Sequence, residues 1–155
     1  MVLAFQLWWL YFDMVPREHI KPSMWSTMGR SFLHYPLLGA IAASGAGVLS
    51  VVGQEGEVLG FEQRFLLAGS VAAALLCMVG LSRVHEYSPM FQGARFRTET
   101  SLSAGVVACL AVGLFGEGLG GVQVLLVLVL VTFIPIGWGA WHWARVASDM
   151  ESSQA

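Results

Sequence analysis

Charge is scarce in this chain: only 12% of its 155 residues are Asp, Glu, Lys or Arg. A water-soluble domain carries roughly 25% charged residues to solvate its surface. Half that density suits lipid better than water. Lysine is rarer still, with Lys21 standing alone against seven arginines. A formal net charge of -2 supplies no basic face, which argues against nucleic acid as a partner. The two cysteines, Cys77 and Cys109, lie inside long apolar runs. There they read as small hydrophobes rather than as disulfide or metal partners. HExxH, CxxC, GxSxG and Walker-type loops are all missing. The glycine-rich GEGLGG at 116–121 has neither a strand before it nor a Lys-Ser/Thr after it, so it reads as a tight hairpin. The last apolar segment has no lysine for a retinal-type Schiff base. The expectations are therefore no enzymatic activity, no cofactor and no bound metal. The opening Met1-Val-Leu-Ala-Phe-Gln lacks the basic stretch and small-residue cleavage site of a secretory leader.

Hydrophobic residues make up 56% of the chain, and the mean hydropathy is +0.68. They fall into five apolar segments, at about 2–15, 32–52, 65–81, 100–117 and 122–146. Crossing a hydrocarbon core of ~30 Å takes about 20 helical residues. The second and fifth segments clear that length, the third and fourth come close, and the first is short. Backbone polar groups in lipid must be satisfied within the segment, and a run such as VLLVLVLV has none of the alternation that a barrel strand needs. The predicted fold is all-α, a polytopic transmembrane bundle over 1–146 followed by a short polar tail over 147–155.

Basic residues set the predicted orientation. Loops 16–31 and 82–101 and the C-terminal end hold seven of them, whereas loop 53–64 holds only Arg64. Loops one and three and the C-terminus are thus expected in the cytoplasm. Small residues recur every fourth position, as Gly39-Ala43-Gly47 and Gly105-Cys109-Gly113, with Ala68-Ala72 and Ser70-Ala74 in the third segment. Such stripes let helix backbones approach closely, within one chain or against a partner.

Asp13, His34 and His142 are ionisable groups inside or at the ends of the apolar segments, all near the predicted cytoplasmic boundary. Together they are a candidate polar or ion cluster, because unpaired charge in lipid is costly. That shallow depth favours the other reading, of structural or interfacial residues that reach water. Trp8, Trp9, Tyr11, Phe12, Tyr35, Trp138, Trp141 and Trp143 crowd the same level, as an interfacial belt or an aromatic box. Pro36 is expected in the first turn of its helix, where proline is tolerated. Pro135 lies inside the last helix and should free the Val131 carbonyl and kink it. His19 and His85 fall in loops and read as solvated.

Two stretches carry a family resemblance: Leu7-Trp8-Trp9-Leu10-Tyr11-Phe12-Asp13, and Phe32-Leu33-His34-Tyr35-Pro36-Leu37-Leu38-Gly39 after a basic loop. They resemble the bacterial low temperature requirement A family, in which a WWxYFD-like helix end precedes a helix opening on His-x-Pro-Leu. The resemblance marks Trp8, Trp9, Tyr11, Phe12, Asp13, His34 and Pro36 as motif positions and assigns none of them a role. It implies a bacterial inner-membrane protein linked to cold or stress tolerance. The polar cluster and the kinked last helix point to solute or ion handling, and the small-residue stripes to the alternative of a scaffold or sensor subunit. Family members are longer than this chain, so it resembles their C-terminal part. On that reading Met1 falls within a helix whose upstream portion is missing. The expected partners are the lipid bilayer, a second copy, or the absent N-terminal half.

Overall fold

A computed structural model of the chain describes residues 2–14, 24–53, 58–84 and 92–152. Within these, side chains are described for all but residues 13–14, 92–95 and 142–152. Among the described residues five helices follow one another: α1 (Val2–Met14), α2 (Met24–Val52), α3 (Phe61–Val84), α4 (Gln92–Phe115) and α5 (Gly121–Ser152). Four contain stretches long and apolar enough to cross a membrane: Met24–Val52, Phe61–Val84, Phe96–Phe115 and Gly121–Trp141. α1 is the short one, and at 13 residues it extends about 20 Å.

α3 is the central helix. Of its most apolar window 67% is buried inside the bundle, against 22–28% for the other three spans. α2 and α4 flank it, and α5 lies against α4 with α1 along its side. The small-residue stripes explain how α3 is wrapped so closely. Gly105, Cys109 and Gly113 are all buried, as are Ala68, Ser70, Ala72 and Ala74 on α3. At Gly47 a methyl group would sit 3.0 Å from the Leu67 backbone, so α2 and α3 touch there almost backbone to backbone. Without a hydrophobic drive between helices in lipid, such contact is what holds them. The face of α2 bearing Gly39 and Gly45 is open by contrast, with nothing within 4 Å of a methyl at either position.

Several boundaries differ from those expected. α2 begins at Met24 rather than near Phe32, and α5 runs on to Ser152 through much of the segment read as a polar tail. Hydropathy marks only the part of a helix that matches the hydrocarbon, and nothing obliges the helix to stop there. With α2 extended, Pro36 is its thirteenth residue instead of lying in its first turn. It therefore leaves the Phe32 carbonyl without its usual donor in the helix interior. Pro135 is internal to α5, as expected.

The α4–α5 hairpin is tight. Gly118 has φ +83°, the left-handed region that side chains disfavour. Leu59 donates its N–H to the Leu119 carbonyl (3.4 Å), so the segment before α3 pairs with this hairpin.

Candidate functional site

α1 sorts its side chains by shape. Leu3, Leu7 and Leu10 are buried against the bundle, whereas Phe5, Trp8, Trp9 and Phe12 face outward. The outward rings pack on one another, with Phe5–Trp8 centroids at 5.8 Å and Trp8–Phe12 at 4.8 Å. Gln6 interrupts the aliphatic stripe, and it is 4% exposed. Its Nε2 donates to the Val129 carbonyl on α5 (3.2 Å), and its Oε1 accepts from the Thr132 hydroxyl (2.9 Å). That hydroxyl also lies within reach of the Leu128 and Val129 carbonyls. With a single hydrogen to give, it is shared among the three acceptors. Thr132 is eleven residues past the start of α5, about 16 Å along it, so the pair sits near mid-span. Pro135, buried three residues on, carries no N–H for the Val131 carbonyl. Amide, hydroxyl and freed carbonyl thus fall within one turn of α5.

A second polar contact joins α1 to α2. The Tyr11 hydroxyl lies 2.9 Å from His34 Nε2, and His34 Nδ1 lies 2.6 Å from the Arg30 carbonyl oxygen. A carbonyl can only accept, so Nδ1 carries the proton. In the neutral ring Nε2 then accepts from the tyrosine. A proton arriving on Nε2 would reverse that bond, with Tyr11 accepting. The rings meet edge to face at 5.9 Å. Of the expected cluster, His34 is thus partnered by Tyr11. The side chains of Asp13 and His142 lie outside the described residues, as do His19 and His85. No group of three metal-ligating side chains occurs among the described residues.

Arg64 corrects an expectation. Counted as the lone cation of loop 53–64, it is instead in the first turn of α3 and only 2% exposed. Its Nε donates to the Gly113 carbonyl in the last turn of α4 (3.1 Å), and an Nη donates to the Leu59 carbonyl at 3.5 Å. The Phe61 ring covers it, 5.8 Å from the guanidinium carbon. The last carbonyls of a helix have no donor from the next turn, and a cation there is favoured by the helix dipole. At the opposite end of α3, the Ser82 hydroxyl donates to Glu99 Oε1 (2.8 Å), and Arg83 lies 3.6 Å from Oε2. These contacts clasp α3 to α4.

Sequence reasoning passed over Gln6, Thr132 and Arg64. Gln6 had a signal, being the one uncharged amide in an otherwise apolar run. Thr132 is unremarkable until Gln6 is seen opposite it.

A family model described as bacterial low temperature requirement A protein matches residues 1–143. The match covers all of the polar contacts above. The chain belongs to this family. Comparison with curated proteins and with solved structures finds no match. Tyr11 and His34 thus bring together the two stretches on which the resemblance was read, 23 residues apart in sequence and joined by a hydrogen bond in space.

Proposed function

We propose that this low temperature requirement A protein handles a small solute or ion across the bacterial inner membrane, in support of growth in the cold. The observation that carries the reading is the Gln6–Thr132 pair at mid-span beside Pro135. Polar side chains and a proline-freed carbonyl at that depth are costly to keep. α5 continues through Pro135 without a break, and a proline within an apolar segment is a sequence mark of the midplane sites that transporters build. Tyr11–His34, between α1 and α2, adds a group able to pass a proton. The link to cold comes from the family's name alone. On this reading the His34 end faces the cytoplasm, following the basic loops. No covalent chemistry is invoked. The test is flux in proteoliposomes over a panel of protons, monovalent cations and small polar solutes. Accelerated movement of any one over protein-free vesicles supports the reading, and none across the panel refutes it.

The open α2 face favours a second reading. Gly39, Ala42, Gly45 and Ala46 form an exposed, nearly flat strip on which a partner helix could pack closely. On that reading the protein is a scaffold or sensor subunit. Absence of flux together with a partner that co-purifies, and is lost on Ala42→Leu, would select it.

A further inference from the structure

We propose that Arg64 anchors a phosphate site at the end of the bundle where α3 begins, presenting guanidinium N–H donors that no acceptor among the described residues uses. Two of the five donors have carbonyl partners, one of them at a long 3.5 Å. The others have none among the described residues, although the residue is 2% exposed. Both partners are neutral, and no carboxylate oxygen lies within 4.0 Å among the described residues. The helix ends do not neutralise the charge either. Arg64 lies in the positive first turn of its own helix, and the Leu59 that it holds packs beside Gly121, the positive start of α5. Among the described helix ends only the α4 C-terminus opposes them, with about half a charge. A buried cation left in this state calls for a counter-anion, and the described residues supply none.

Depth and shape say which anion. Arg64 is the fourth residue of an apolar span, about 5 Å from its start and just inside the hydrocarbon edge, a depth from which a long arginine side chain reaches the headgroup phosphates. The planar guanidinium fork matches two oxygens of one phosphate. Glu62 and Glu117 are exposed at the same end of the bundle. Their charges oppose a dianion more than a monoanion, which favours a phosphodiester headgroup over free phosphate. Phe61, half-exposed above the guanidinium, is the cover that must turn aside.

The full chain, purified in uncharged detergent and washed free of lipid, is melted with added phosphatidylglycerol, phosphatidylcholine or inorganic phosphate. The expected result is a rise in Tm of several degrees with phosphatidylglycerol and a smaller one with phosphatidylcholine. Arg64→Gln should abolish both. A rise with inorganic phosphate alone would assign the same site to the free ion. Should R64Q not fold, Arg64→Lys keeps the charge without the fork, and native mass spectrometry should show phosphatidylglycerol retained at least tenfold less than by wild type. No shift with any of the three, meaning that the chain's own loop carboxylates serve the guanidinium, overturns the proposal. So does a shift or retention unchanged in R64Q and R64K.

Discussion

Replacing Thr132 with valine keeps the side chain's shape and removes one hydroxyl. Thr132 is fully buried, so water cannot take the place of what is lost. Gln6 Oε1 loses its only described donor, while Gln6 Nε2 keeps the Val129 carbonyl. A buried acceptor left unsatisfied costs about 1–3 kcal/mol, and interhelical hydrogen bonds in membranes average about 0.6 kcal/mol. The amide stays half-satisfied, so Thr132→Val should cost about 1–1.5 kcal/mol. Gln6→Leu should cost less, because the Thr132 hydroxyl falls back on the Leu128 carbonyl, 2.9 Å away. With both changed, neither orphan remains. The double variant should therefore be no less stable than T132V alone, a coupling of about 0.5–1.5 kcal/mol. Reversible unfolding of all four proteins in bicelles measures it. Losses that add to within about 0.3 kcal/mol would refute a hydrogen-bonded pair and leave two independent packing residues.

Glycine substitutions test the packing of α2. Gly47→Ala forces a methyl against the Leu67 backbone and should cost about 1–3 kcal/mol, whereas Gly39→Ala meets open space and should be neutral or slightly stabilising. Thermal melting of the two variants side by side checks this. Tyr11→Phe should cost about 0.5–1.5 kcal/mol by leaving His34 Nε2 without its donor, and His34→Phe in the Y11F background should cost no more than in wild type. Cys77 and Cys109 are both buried, so neither should react with maleimide until the protein unfolds, and Cys109, the more deeply buried, should be last to react. A cysteine placed at Gly118 should be labelled by an impermeant reagent from outside intact cells, and one placed at the exposed Arg83 should not. The reverse pattern would invert the assigned orientation.

The spans were legible because lipid imposes one requirement, length and apolarity together, that composition reports directly. The small-residue stripes were legible for a related reason: Gly105, Cys109 and Gly113 sit at helical spacing, and that spacing is a face. Helix ends were less so, since α2 and α5 continue past the hydrocarbon, where hydropathy carries no information. Pro36 was placed in a first turn only because the helix start was drawn at the start of the apolar run. Arg64 shows the deeper limit. A lone arginine among Glu55, Glu57 and Glu62 looks solvated in one dimension. Its burial depends on the α4–α5 hairpin, some fifty residues away, folding over it. Gln6 and Thr132 are likewise 126 residues apart, and neither predicts the other. His34 was singled out by type and by family motif, but its partner proved to be Tyr11, an aromatic residue first read as part of a belt.

The claim on which the account rests is that polar groups along α1, α2 and α5 form the working seam of the protein. Flux in proteoliposomes, measured for wild type, T132V and Y11F at equal incorporation and matched fold, tests it most directly. The account predicts that a solute or ion moved by wild type moves at least several-fold more slowly through both variants, while the open-face variant Gly39→Ala is unaffected. Equal flux through all four proteins, or none through any, would contradict it.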